Sequence, residues 1–186
     1  MKTMRKFGMM LMTVMIAFSM TACGDDDDNG DSPFGGGSSV TVNGTTFSVY
    51  KGHWDVAVAN GSDTFYTLQF YNFSSVNALP DPIHIVSVVY HVTNGDQSAP
   101  ATGEFSGSDF NVSVTKLSSN ESQDRTYYTY PADNASAKLK VTKSGSNYTV
   151  EFGAMKYTDG STSTTYNGTA FSFSGALTKG LLIDVD

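Results

Sequence analysis

Asn-Gly and Asp-Gly pairs recur between short alternating segments, and this recurrence limits the fold more than any other feature of the sequence. They stand at residues 43–44, 60–61, 94–95, 159–160 and 167–168, with a weaker Ser-Gly version at 144–145. Both residues of such a pair tolerate positive φ, so the pair is the strongest short-range signal of a β-hairpin. Strands joined by tight turns run antiparallel. The sequence therefore predicts an antiparallel β-domain from residue 39 to residue 186.

In the segments between these turns, apolar and polar residues alternate, as they do in strands with one buried face and one solvent-exposed face. Apolar residues take every second position in segments 110–114, 139–141, 148–152 and 171–173. In the first of these segments, Asn111, Ser113 and Thr115 are expected to face water. No segment after the first 22 residues carries a convincing apolar stripe of helical period. We therefore expect an all-β domain of about ten strands.

Two architectures fit this strand content, a single antiparallel β-sandwich and a closed barrel of the lipocalin kind. The segments 74–82, 95–103 and 118–125 are too long for the turns of a simple up-and-down meander. The sandwich is therefore the preferred prediction, and the lipocalin-like barrel is the alternative.

Segments 64–73 and 83–92 are apolar on both faces. Strands of this kind are expected at the centre of a sheet, with the core on one side and a further layer on the other. That layer is predicted to be a loop or a terminal segment such as 181–185. The alternative is an exposed aromatic surface that binds a ligand or a partner.

The first 22 residues have the form of a secretory signal peptide. Lys2, Arg5 and Lys6 precede an apolar run over residues 9–20, and small residues lead to the only cysteine, Cys23. A run of about 12 residues is too short to span a bilayer, which needs roughly 20. A positive start, a short apolar run and small residues before a cleavage site are the marks of a signal peptide.

Met20-Thr21-Ala22-Cys23 resembles the lipobox of bacterial lipoproteins, with Met20 in place of the usual leucine. The acidic run that follows resembles the export signal of surface-exposed lipoproteins in glycan-foraging Gram-negative gut bacteria; it consists of Asp25, Asp26, Asp27 and Asp28. The resemblance implies lipidation at Cys23 and an outer-membrane anchor that faces the cell exterior. The Gly-, Asp- and Ser-rich composition of residues 23–38 predicts a flexible tether. A periplasmic orientation, with the acidic run as a solvated spacer, is the alternative.

A second resemblance covers segments 138–152 and 166–177. Val141-Thr142-Lys143, Gly145, Tyr148-Thr149-Val150 and the Ser-Gly-Ala-Leu sequence at 174–177 are similar to domains of uncharacterised surface lipoproteins from the same bacteria. This motif describes β-turns more than chemistry and implies no activity.

Charge limits the partners of the domain. Cleavage before Cys23 removes three basic residues and leaves 8 Lys and Arg against 18 Asp and Glu, a formal net charge of −10. Such an acidic chain argues against nucleic acid as a partner. The expected contact with the membrane is therefore the lipid anchor.

No pattern in the sequence indicates catalysis, a metal or a cofactor. His84 and His91 are seven residues apart, so they fall on opposite faces of one strand, and His53 stands alone. The Gly-x-Ser-x-Gly motif of serine hydrolases is absent, and the carboxylates have no signature spacing. We therefore expect no catalytic residue, no metal ligand, no cofactor and no enzymatic activity.

Aromatic residues among Asn, Asp, Ser and Thr are the best candidates for ligand binding. They are Trp54, Tyr66, Tyr71, Tyr127, Tyr128 and Tyr130. Flat rings with polar tips suit sugars, whose C–H faces stack on aromatic rings while their hydroxyls form hydrogen bonds. Tyr128 and Tyr130 are predicted on one face and Tyr127 on the other. The alternative is that these tyrosines belong to the core, since tyrosine favours strands.

Three functions remain open at this point. The first is binding of an extracellular ligand, with a glycan as the preferred class. The second is a structural or adhesion module that docks on a partner surface protein through the doubly apolar strands. The third is a carrier of a small hydrophobic molecule inside a barrel.

Overall fold

A computed structural model describes residues 38–59, 63–106 and 109–182. The signal peptide, Cys23 and the acidic run of Asp25, Asp26, Asp27 and Asp28 lie outside these residues. The described part is all-β, as expected, with 60% of its residues in strands and no α-helix. It includes two 3-10 turns of three residues, Glu121–Gln123 and Pro131–Asp133.

Among the described residues, thirteen strands form one curled mixed sheet, a half-barrel. The strands are β1 (Ser39–Val42), β2 (Thr45–Ser48), β3 (Lys51–Ala59), β4 (Asp63–Tyr71), β5 (Ile83–Thr93), β6 (Gly103–Ser106), β7 (Phe110–Leu117), β8 (Arg125–Tyr128), β9 (Lys138–Ser144), β10 (Asn147–Phe152), β11 (Met155–Asp159), β12 (Thr165–Gly168) and β13 (Phe171–Lys179). Their order across the sheet is β2-β1-β12-β11-β8-β7-β5-β4-β3-β13-β10-β9-β6.

This topology is not clearly that of the expected antiparallel sandwich of about ten strands. The sheet is mixed, because residues 177–179 of β13 run parallel to residues 52–54 of β3. The first part of β13, residues 171–176, pairs antiparallel with β10. Strand β13 therefore joins the three strands β10, β9 and β6 to the rest of the sheet, where two separate layers were expected.

The predicted turns are partly confirmed. Asn43 and Gly44 have φ of 50° and 72° and close the β1–β2 hairpin, and Gly145, with φ of 59°, lies in the turn between β9 and β10. Asn167-Gly168 is not a turn and lies inside β12. The missing side chain of Gly168 makes room for Tyr157, since a Cβ there would lie 2.4 Å from the ring. Glycine in a strand often marks such a close approach.

The main core fills the curl of the sheet with aromatic and branched side chains from both ends of the strand order. Phe70 of β4 contacts Phe171 and Phe173 of β13, with ring centroids 5.2 and 4.7 Å apart. On the other side, Phe47 of β2 meets the ring of Tyr127 of β8 at 6.1 Å. Aromatic contacts at these separations add about 0.5–1.5 kcal/mol each to the burial of their surface. The Phe47–Tyr127 contact thus packs together two strands, β2 and β8, that are four positions apart in the sheet.

A second apolar cluster lies on the other face of β4 and β5. Tyr71, Phe73, Ile83 and Ile85 are buried there, and Leu182 packs against them. The two strands are neighbours near the middle of the sheet, as predicted from their doubly apolar sequence. The prediction that a terminal segment covers the second face is confirmed at Leu182.

The prediction that one face of β7 is exposed to water is wrong. Asn111, Ser113 and Thr115 are only 3%, 4% and 6% exposed. Strand β7 is paired on both sides, and Ser113 stands directly opposite Tyr128 of β8. A short polar side chain beside a long aromatic one is shielded from water, and alternation alone does not show this.

Candidate functional site

The six aromatic residues predicted to bind a ligand fall into two groups. Four of them, Trp54, Tyr66, Tyr71 and Tyr127, are at most 5% exposed. Tyr128 is half-buried and Tyr130 is 48% exposed. The structure therefore brings only Tyr128 and Tyr130 to the surface, and the expectation of ligand contact is withdrawn for the other four.

The four buried residues have partners inside the molecule for their polar groups or rings. The hydroxyl of Tyr66 donates a hydrogen bond to the Asp96 carbonyl, and that of Tyr71 to the Gln69 side chain. The Tyr127 hydroxyl accepts a hydrogen bond from the Asn43 amide at 3.3 Å. The ammonium of Lys179 lies 4.8 Å from the centre of the Trp54 ring.

Tyr128 and Tyr130 lie on the same face of the sheet, which we call the tyrosine face. Tyr127 belongs to the core, so its neighbour Tyr128 points the other way, as predicted. Tyr130 follows two residues later in an extended conformation, with φ of −128° and ψ of 143°. In the pairing with β11, Tyr128 stands opposite Thr158. The face therefore continues onto β11 and then onto β12.

Tyr128 is half-buried, and its surroundings favour the neutral, protonated form of its hydroxyl. Burial raises the pKa of the Tyr128 hydroxyl above its ordinary value of 10.0, and the nearby Tyr130 raises it further, against a hydrogen bond with Thr126. The missing side chain of Gly160 leaves room for the Tyr128 ring, since a Cβ at this position would lie 2.7 Å from a ring carbon. The hydroxyl is thus a neutral donor and acceptor at physiological pH.

A surface cleft of about 360 Å³ adjoins the tyrosine face. This volume lies at the lower end of the range typical of small-molecule sites. Four exposed polar residues line it: Asp133, Ser136, Lys156 and Asn167. Lys156 and Asn167 stand opposite each other in the β11–β12 pairing, and Lys156 is two residues from Thr158. The cleft and the tyrosine face therefore share one side of the sheet.

Asn134 joins the tyrosine segment to the cleft. It is 6% exposed, and its side-chain amide donates to the carbonyls of Lys156 at 2.9 Å and Tyr130 at 3.2 Å. Its side-chain oxygen accepts a hydrogen bond from the Lys156 N–H at 2.9 Å. These three bonds fix the 3-10 turn Pro131–Asp133 against β11. The position of Tyr130 relative to Lys156 is thereby set.

The charged groups of the cleft have no partners within the described part of the chain. Neither the Lys156 ammonium nor the Asp133 carboxylate makes an ion pair or a side-chain hydrogen bond there. Lys138 and Lys140, by contrast, each pair with a glutamate. The cleft thus presents a free donor cation and a free acceptor anion to solvent.

The remaining part of the cleft lining is apolar or backbone. Ala137, Ala154 and the buried Met155 contribute no charged or hydroxyl group. Gly168 adds backbone beside them. The cleft is therefore amphipathic, and it suits a ligand with both a small apolar group and several hydrogen-bonding groups.

Sequence reasoning missed the cleft residues. They come from three segments, 133–137, 154–156 and 167–168, that only the pairing of β11 with β12 and the Asn134 bonds bring together. One signal was available, since the turn after Tyr130 reads Pro-Ala-Asp-Asn and such a turn exposes polar side chains. The order of the strands was needed for the rest.

The described residues contain no cluster of three or more His, Cys, Asp or Glu side chains that could hold a metal ion. His84 contacts Phe47 of the core, and His91 contacts Phe65 on the other side of the sheet. Their predicted placement on opposite faces is confirmed. His53 is buried, and its Nδ1 lies 2.7 Å from the Gly180 carbonyl oxygen.

The chain matches no protein-family model, no curated protein and no solved structure. Within the described ranges, no helix has the length and the apolar character needed to cross a bilayer. A functional proposal for this chain therefore rests on the side chains of the tyrosine face and of the cleft.

Proposed function

We propose that the protein is a lipid-anchored outer-membrane protein whose β-domain binds an extracellular glycan without catalysis. The observation that carries the proposal is the tyrosine face beside an amphipathic cleft. Rings at the surface offer apolar area to the C–H face of a sugar, and their hydroxyls accept and donate hydrogen bonds. Asp133, Ser136, Lys156 and Asn167 supply further hydrogen-bonding groups within the cleft.

The proposed attachment depends on Cys23 and the acidic run of Asp25, Asp26, Asp27 and Asp28. A diacylglycerol thioether at Cys23 supplies two acyl chains, and stable anchoring takes two such chains or an equivalent second signal. Intact-mass spectrometry of protein purified from its membrane tests the anchor, because a bare Cys23 contradicts it. Protease treatment of intact cells tests the orientation, because a protein that is protected until the outer membrane is broken faces the periplasm.

The binding experiment is titration calorimetry of the mature protein against a panel of polysaccharides. We expect at least one ligand to bind, and we expect Tyr128→Ala and Tyr130→Ala to weaken it tenfold or more each. Tyr50→Ala is the matched control, because Tyr50 is 64% exposed and precedes β3. Four strand spacings, roughly 19 Å, separate β3 from β8. Absence of binding across a broad panel contradicts the proposal.

The two other functions have less support. Docking through the second faces of β4 and β5 requires an open apolar surface, and Leu182 already packs against that cluster. Transport of a small hydrophobic molecule requires an empty interior. The curl of the sheet is filled by buried aromatic rings, including Phe47, Tyr66 and Phe152.

A further inference from the structure

The apolar and polar parts of the cleft differ in what they accept. Ala137 and Ala154 offer small methyl groups, and Met155 closes this part with a buried thioether side chain. A hydroxyl group placed here would lose hydrogen bonds to water and gain none from these side chains. A methyl group placed here would be removed from water, which is favourable, and it would lose no hydrogen bond.

The polar part contains complementary groups. Asp133 is a free acceptor, and Lys156 and Asn167 carry free donors, all lining the same cleft as the alanines. An acetamido group has the matching set, namely one N–H donor, one C=O acceptor and one methyl group. A plain hydroxyl at the same ring carbon has no methyl group to place against the alanines.

We propose that the cleft selects an N-acetylated amino sugar, with its pyranose ring against the tyrosine face. The acetamido methyl group lies against Ala137 and Ala154, the N–H donates to the Asp133 carboxylate, and the carbonyl oxygen accepts from Lys156 or Asn167. This specificity depends on the proposed glycan-binding function and adds the class of sugar to it.

Three trisaccharides with the same β-1,4-linked glucose backbone test the proposal by titration calorimetry. They are the N-acetylglucosamine trimer, the glucose trimer and the glucosamine trimer, which differ only at the C2 substituent. We expect the N-acetylated trimer to bind at least tenfold tighter than each of the other two. Equal affinity for the N-acetylated and glucose trimers overturns the acetamido assignment and leaves glycan binding standing.

A larger side chain in the apolar part provides the second arm. Ala154 is exposed, so Ala154→Leu leaves the core intact and occupies the space assigned to the methyl group. We expect this variant to lose the preference for the N-acetylated trimer. Ala135→Leu is the control, because Ala135 is exposed in the 133–137 segment beside the cleft but does not line it.

The outcomes separate the two proposals. If Ala154→Leu and Ala135→Leu both keep the full preference, the methyl group does not occupy the cleft and the assignment is wrong. If none of the three trimers binds but another polysaccharide does, the assignment is wrong and glycan binding stands. If no glycan of any class binds, the proposed function itself fails. Urea unfolding of each variant confirms that it is folded.

Discussion

Replacing Asn134 by alanine tests whether one buried amide holds the tyrosine face and the cleft together. The change removes three hydrogen bonds, two to carbonyls at 2.9 and 3.2 Å and one from the Lys156 N–H at 2.9 Å. A hydrogen bond contributes about 0.5–1.5 kcal/mol net, so the three together predict a loss of about 1.5–4.5 kcal/mol in the free energy of unfolding. Part of this loss is the cost of leaving backbone groups without partners.

Urea unfolding followed by the fluorescence of Trp54, the only tryptophan, measures this loss. The midpoint is expected to fall while the slope with urea stays constant, because the surface exposed on unfolding hardly changes. Asn167→Ala is the matched control, since Asn167 lines the same cleft but is exposed. It is expected to change stability by less than about 0.5 kcal/mol. A loss in the Asn134 variant no larger than in the control refutes the reasoning.

Three further changes follow from contacts in the same region. Gly168→Ala places a Cβ 2.4 Å from the buried Tyr157 ring and is expected to cost about 1–3 kcal/mol by urea unfolding; an unchanged midpoint contradicts this packing. Gly160→Ala pushes on the half-buried ring of the tyrosine face at 2.7 Å, so calorimetry should show weaker glycan binding with a smaller loss of stability than at Gly168. Burial raises the pKa of Asp159, but hydrogen bonds from residues 161–162 outweigh this and place it below the ordinary value of 3.8. Its stabilisation is therefore present above about pH 4 and is lost as the pH falls through the lower folded pKa. The stability gap between wild type and Asp159→Asn should shrink in that window, and a gap independent of pH contradicts the assignment.

Local patterns predicted the elements of the fold but not their arrangement. The Asn43-Gly44 turn and the central place of β4 and β5 could be read from the sequence, because each depends on neighbouring residues. The parallel pairing of β13 with β3 could not, since residues 177–179 and 52–54 are far apart in sequence and carry no mark of their partner. For the same reason, the sequence predicted a sandwich of about ten strands, whereas the described residues form one half-barrel sheet of thirteen strands.

The candidate site was predictable only in part. Alternation correctly separated Tyr127 from Tyr128, but it could not show which of the aromatic residues lie under other strands. Tyr66 is buried in the main core, where its ring stacks on Tyr90, and its hydroxyl donates a hydrogen bond to the Asp96 carbonyl of the loop after β5. The cleft itself depends on the Asn134 bonds, which no sequence pattern indicates.

The measurement that tests the central claim most directly is calorimetric titration of the mature protein with the ligand from the polysaccharide panel, repeated with the double variant Tyr128→Ala, Tyr130→Ala. The proposal predicts binding by the wild-type protein and by Tyr50→Ala, and loss of binding by the double variant while its unfolding midpoint stays near that of wild type. Equal binding by the folded double variant and the wild-type protein contradicts the claim that the tyrosine face is the site.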